Sequence, residues 1–411
     1  MIITIDGVAG SGKSTLGRML ADRLGLTFFS SGLLYRLKGL MASRGENIAL
    51  EDLVKKGRFR IKKDGVYLDG EKIDDVLQSE EVGKWAAKVA KDPSVRDEVN
   101  ATLKLLAEGG NFVVDGRDMG TVVFPNAKVK FYIDADVMER ARRRVLQLGL
   151  EPTEEILREF AEKIAARDRA DKEREIAPLK PADDAIIIDT TGMTPEEAVD
   201  IMEKHVMKHV PRVPLQAFAQ KTIGPILRGW FRMSLHGRFP KAGRWLMIFN
   251  HISGWDPPLI AMVSMPRQIE YMAKKELFQY PILGSLLYKL GAFPVDREGK
   301  DVRAVREAIR RLRQERIVGL APEAHRSYDG KMLPWYPGVS YFVVKGITPV
   351  LPVAIKGLEG GVKWRDIIPG MRKVKVGVGE PVYPRDLYPH RDMESALELL
   401  KERVQMLYDS L

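Results

Sequence analysis

The opening stretch MIITID is apolar but for Thr4 up to its closing acid, and the run behind its glycine loop carries Leu16, Leu20 and Leu24 on one stripe. Those rhythms predict a buried strand, a turn and an amphipathic helix. Strand-like runs return in FVVDGRD, VKFYIDA and AIIIDTT, with the charged helix VMERARRRVLQL among them. Strands alternating with helices predict a parallel sheet wrapped by helices, with ligands at the carboxyl ends of the strands. Between Arg58 and Lys72, RFRIKKDGVYLDGEK alternates around DG turns and reads as a small antiparallel insertion.

The helical pattern PEEAVDIMEKHVMKHV is followed by PRVPLQ, whose prolines read as a linker. Beyond it the alternation restarts with RWLMIFN, GAFPVD, RIVGLA, ITPVLPVAI and RKVKVGVG. Two α/β domains are expected, at residues 1–209 and 221–411, joined by a linker over 210–220. In DVRAVREAIRRLRQER, Val302, Val305, Ile309 and Leu312 form a stripe opposite a basic face that reads as solvated. The stretch IGPILRGWFRMSLHGRF mixes Leu227, Trp230 and Phe231 with Arg228 and Arg232. It suits either an anionic membrane interface or a helix packed on the core.

Composition narrows the classes. At 411 residues the chain can bury two cores without staples. The absence of cysteine excludes disulfides, thiolate nucleophiles and cysteine-held metals. The start lacks the form of a signal peptide, and no apolar run is long enough to span a bilayer, so a cytoplasmic protein is expected. A net charge of +10 favours polyanionic partners: nucleotides, nucleic acid or an anionic membrane face. Without an aromatic-studded basic groove, nucleic acid is not expected.

Gly7 to Ser14, GVAGSGKS, fits the phosphate-binding pattern G-x-x-x-x-G-K-[ST] in its strand–turn–helix context. Backbone N–H groups curl around phosphate oxygens, Lys13 supplies a cation, and the Ser14 hydroxyl is placed to hold Mg²⁺. Gly7, Gly10, Gly12, Lys13, Ser14 and Thr15 are therefore the expected ATP-binding residues. Acceptor chemistry is sought in SSGLLYR, DGRDMGTVVFP and RDRADKER, the last with Arg167, Asp171 and Arg174 on one helical face. Arginine forks suit a transferring phosphoryl group, whose charge is spread over several oxygens. Arg142, Arg143 and Arg144 read equally well as surface charge.

In order and spacing these blocks, with VR at 95–96, resemble the bacterial cytidylate kinases over residues 1–209. The resemblance implies transfer of the ATP γ-phosphoryl group to CMP or dCMP. It places Ser31, Arg36, Arg96, Arg117, Asp118, Arg167, Asp171 and Arg174 around the acceptor nucleotide. Arg96 and Asp118 would face the base and Asp171 the ribose; Lys13, Arg167 and Arg174 would act on the phosphates during transfer. Ala87 stands where the family usually has a serine that helps read the base, so UMP is an expected second acceptor.

In the second half, NHISGWD sets His251 five positions before Asp256. Asp256 also precedes two prolines, which suits a helix N-cap. With GAFPVDR, APEAHRS and LPVAI downstream, the segment supplies a base, an orienting carboxylate and phosphate-binding cations. These four blocks resemble the 1-acylglycerol-3-phosphate acyltransferases over about residues 221–385. The resemblance implies that His251 deprotonates the acceptor hydroxyl, Asp256 fixes its imidazole, and Arg297, Glu323 and Arg326 bind the lysolipid phosphate. Acyl-CoA or acyl carrier protein would donate the acyl group to lysophosphatidate. The third block departs from the family pattern, with Ala324 and His325 replacing glycine and threonine. The expected protein is a bifunctional kinase and acyltransferase, peripheral at the membrane; the alternative is a kinase tethered by a noncatalytic lipid-binding domain.

Overall fold

The computed structural model describes residues 1–62, 65–296, 301–327, 329–361, 370 and 372–411. The chain divides into two compact units, Met1–Ala107 with Asn111–His209, and Glu108–Gly110 with Val210–Leu411.

The strands of the first unit are β1 (Ile2–Gly7), β2 (Thr27–Ser30), β3 (Phe59–Lys62), β4 (Gly65–Leu68), β5 (Glu71–Lys72), β6 (Phe112–Asp115), β7 (Val129–Asp134) and β8 (Ile186–Asp189). A five-stranded sheet runs β2-β6-β1-β7-β8, all parallel. Its central strands are buried along almost their whole length, as expected of a parallel sheet covered on both faces. The helix Lys13–Leu24 buries Leu16, Leu20 and Leu24, the stripe its sequence announces. Parallel pairing sets Ser30 beside Asp115 and Ile5 beside Asp115. The loops after β1, β2 and β6 therefore leave the sheet at one edge. The expected insertion is an antiparallel sheet of β3, β4 and β5.

The second unit adds β9 (Ser234–His236), β10 (Trp245–Phe249), β11 (Ile269–Lys274), β12 (Phe293–Val295), β13 (Ile317–Leu320), β14 (Val350–Lys356) and β15 (Lys375–Val378). Their order is β12-β11-β13-β10-β14-β15-β9. The five strands from β12 to β14 are parallel, and β15 pairs antiparallel to β14. Leu246, Ile248, Phe293, Val318, Trp335, Val343 and Val404 share one core. Residues 214–220, expected as linker, instead begin the helix Pro214–Trp230. Pro214 occupies the first helical position, where its missing N–H costs nothing.

That helix is inverted relative to an ordinary amphipathic helix. It buries Gln216, Gln220 and Gly224 while leaving Phe218, Ile223 and Ile226 at 63%, 49% and 62% exposure. Gln216 pairs with both backbone groups of Ile269, and the Gln220 amide donates to the carbonyls of Ala261 and Arg267. The glutamines thus complete backbone hydrogen bonding at the start of β11. Phe231 is buried, while Leu227 and Trp230 are partly covered. Among the described residues, no helix is long and apolar enough to cross a membrane.

Candidate functional sites

In the first unit, the loop after β1 turns through left-handed glycines, with φ of 75° at Gly10 and 84° at Gly12. Gly7 is constrained by space, since a Cβ there would lie 2.0 Å from the Ile133 carbonyl oxygen. Lys13 is buried and its Nζ donates to the Val8 carbonyl at 2.5 Å. Burial, then the neighbouring Arg117, push its pKa well below that of an ordinary lysine; Asp115 and Asp6 oppose the shift. The Ser14 hydroxyl donates to Asp115 Oδ2. Asp115 Oδ1 is buried with no hydrogen-bond partner among the described residues.

A cavity of about 1000 Å³ joins this loop to the residues expected around the acceptor. Gly10, Gly12, Lys13, Ser14, Thr15, Ser31, Arg36, Arg96, Arg117, Asp118, Arg167, Asp171 and Arg174 all line it, whereas Gly7, the last residue of β1, does not. Ala87 is on its wall, as are Arg143 and Arg144, which had read equally well as surface charge. Asp6 braces the backbone just after Asp118: its carboxylate accepts the N–H groups of Met119 and Gly120 at 2.9 and 2.7 Å. Burial nevertheless raises its pKa to about 6. Arg117 Nε donates to Asp171 Oδ2 at 2.8 Å, and Arg174 Nη2 lies 3.5 Å from Asp118. Arg36 is tied to the carbonyls of Leu77 and Ser79, and Arg96 to that of Ala90. Burial raises the Asp118 pKa and lowers those of Arg167 and Arg174. Such a basic, desolvated wall is suited to several phosphate oxygens at once.

In the second unit, His251 follows β10 and Asp256 opens the helix Asp256–Val263. Asp256 is fully buried, and its Oδ2 takes bonds from His251 Nδ1 at 2.8 Å, Ile252 N at 2.7 Å and Ser253 N at 2.8 Å. It is therefore not a capping residue; Trp255 holds the N-cap position. A carboxylate on Nδ1 assigns the proton there and leaves Nε2 as the basic nitrogen. Asn250 exchanges two hydrogen bonds with the backbone of Ile355, at 2.9 and 2.8 Å, stitching the histidine loop to β14.

Glu323 departs from its expected place on a phosphate. Its two oxygens accept the N–H groups of His251 at 3.1 Å and Leu333 at 2.9 Å. A buried carboxylate would repel a phosphate, whereas here it fixes the loop that carries His251. Arg326 is exposed and packs over Gly254, where a Cβ would meet its Nη2 at 3.2 Å. Arg297 lies outside the described residues. Ala324 adopts φ of 54°, the left-handed conformation that favours glycine. LPVAI lies inside β14, as the strand-like run ITPVLPVAI suggests.

Sequence reasoning passed over Asp115, Asn250, Arg140 and Asp168. Asp115 and Asn250 each stand at or just past a strand end, beside a residue that was recognised. Arg140 and Asp168 form a buried ion pair at 2.5 Å between two helices, and no local spacing announces it.

A cytidylate kinase family model matches residues 3–208, half of the chain, and an acyltransferase model matches residues 232–356. A cytidylate kinase of Pseudomonas fluorescens is 41% identical over 48% of this chain and 92% of its own length. One from a Geobacillus species is 42% identical over 49% of this chain and 94% of its own. The crystal structure of a 1-acyl-sn-glycerophosphate acyltransferase from Thermotoga maritima is 26% identical, with a TM-score of 0.35, covering 47% of this chain and 86% of that one. The chain belongs to the cytidylate kinase family, and an acyltransferase domain follows its kinase half.

Proposed function

We propose that the protein is bifunctional: it phosphorylates CMP and dCMP with ATP, and it acylates lysophosphatidate to phosphatidate with acyl-CoA or acyl carrier protein as donor. In the kinase half, an acceptor phosphate oxygen attacks the γ-phosphorus of ATP in line as the bond to the β-phosphate oxygen breaks. Lys13, Arg167 and Arg174 neutralise the phosphates, while Arg96 and Asp118 face the base and Asp171 the ribose. The Ser14 hydroxyl beside Asp115, whose Oδ1 is buried without a hydrogen-bond partner among the described residues, fits the hard oxygen donors that Mg²⁺ takes. Bound Mg²⁺ would supply charge to the β and γ phosphates; Ser14 and Asp115 would hold it.

The bond from His251 Nδ1 to a fully buried Asp256 carries the second activity. His251 Nε2 takes the acceptor hydroxyl proton, the oxygen attacks the thioester carbonyl, the carbon–sulfur bond breaks, and the proton passes to the leaving thiolate. Arg326 and Arg297 would bind the lysolipid phosphate, with Glu323 bracing the loop. The outward Phe218, Ile223 and Ile226 support peripheral attachment to the inner face of the membrane. The strained Ala324 favours the second reading, a noncatalytic lipid-binding unit that tethers the kinase.

The test supplies the purified protein with CMP and ATP, and separately with lysophosphatidate and each acyl donor. Formation of both CDP and phosphatidate is expected. CDP without phosphatidate from either donor would favour the tether.

A further inference from the structure

The glycine loop and the arginine-bearing helix Glu154–Glu173 are joined by a buried polar junction that no reading of the substrate contacts uses. It centres on the peptide groups of one residue, Ala9. Its N–H donates to Asp168 Oδ1 at 2.8 Å, and its carbonyl accepts from Arg140 Nη1 at 2.9 Å. Arg140 Nη1 also donates to Asp168 Oδ2 at 2.5 Å, and Arg140 Nε to the Ala135 carbonyl at 2.9 Å. Both charged residues are about 94% buried. Ala9, Ala141, Ala161 and Ile164 pack around the junction as an apolar cluster that keeps water from competing for these bonds.

Placement gives the junction its meaning. Ala9 lies within the phosphate-binding loop, one residue before Gly10. Asp168 follows Arg167 directly, and Asp171 and Arg174 lie three and six positions further on. A single pair of side chains therefore fixes the donor cradle against the element presenting the acceptor's cations. An ion pair this deep in the protein is costly to desolvate and is weak evidence for stability as such. Its geometry serves position instead, because in-line transfer tolerates little error between donor and acceptor.

We propose that Arg140 and Asp168 are positioning residues that hold the two nucleotide cradles in register, so that the γ-phosphoryl group reaches the acceptor nucleotide rather than water. The proposal rests on the kinase reading. Its corollary is that the helix Glu154–Glu173 is pinned at Asp168, so any closure over the phosphates takes place beyond that residue.

The test compares the full-length parent with the Asp168→Asn variant and with the double variant Arg140→Met, Asp168→Asn. The double variant leaves no unpaired buried charge, which protects folding. ADP and CDP are both quantified with saturating ATP and CMP. In transfer each ADP accompanies one CDP; when water attacks the γ-phosphorus, ADP and inorganic phosphate form with no CDP. A ratio of one is expected for the parent, and a parent that makes no CDP overturns the kinase reading itself. For the double variant an ADP:CDP ratio above one is expected, with kcat lower by about tenfold or more. This ratio does not depend on the fraction of folded enzyme, so a merely structural role would leave it at one. A ratio of one in both variants, at any turnover, overturns the proposal.

Discussion

At the scale of single residues, the kinase site is governed by side chains whose charge the protein has made expensive. Lys13 has a lowered pKa through burial and the nearby Arg117. Triphosphate adds negative charge beside it, so ATP binding raises that pKa and takes up a proton once the solution is more alkaline than the free-state value. Affinity for ATP should then fall as pH rises through that value. Calorimetric titrations in two buffers of different ionisation enthalpy should reveal uptake at alkaline pH; identical heats would contradict the assignment. Ala87 lines the cavity and brings no hydroxyl to it. UMP should accept phosphate, and Ala87→Ser should raise the CMP:UMP ratio of kcat/KM by about tenfold, the worth of one hydrogen bond. Failure of UMP in the parent would contradict this. In the acyltransferase half, Ala324 at φ of 54° bears the strain of a left-handed alanine. Ala324→Gly should raise stability in urea unfolding by about 1 kcal/mol, the strain relieved less the added freedom of the unfolded chain. A destabilised variant would show that the Cβ is instead supporting the loop.

At the scale of elements, legibility followed the range of the interaction. The strand, glycine loop and helix from Ile2 to Leu24 were readable because each signal is local and successive. The cluster after β1, β2 and β6 was readable as a consequence of parallel pairing. The pair of Arg140 and Asp168 was not, since two helices had to be placed before the residues met. The helix Pro214–Trp230 was read as linker over its first turns because Pro211 and Pro214 resemble spacer residues. Its glutamines, polar in sequence, are the buried side, because they satisfy backbone groups of the adjacent strand. The apolar Phe218, Ile223 and Ile226 consequently face outward. Flotation with anionic vesicles should carry the protein upward at low salt, and Phe218→Asp with Ile226→Asp should leave it at the bottom. Equal flotation of the two proteins would remove this helix as the attachment surface.

At the scale of the whole molecule, two alternations of strand and helix yield two α/β units, each with its site at the carboxyl ends of parallel strands. A charge of +10 suits a chain whose proposed substrates are all phosphorylated anions. In the second unit the fold brings NHISGWD together with APEAHRS and LPVAI, while the work of each residue was not legible in the sequence. Glu323 shows the difference, since only the fold reveals that it holds the His251 backbone. The central claim is that one chain carries two independent chemistries. The most direct measurement follows acyl transfer to lysophosphatidate and CMP phosphorylation on the same samples of parent and His251→Ala. The expected result is loss of acyl transfer by about 10² to 10⁴-fold with CMP phosphorylation unchanged. Acyl transfer that survives the substitution would contradict His251 as the base. A parent inactive with both acyl-CoA and acyl carrier protein would contradict the second chemistry itself.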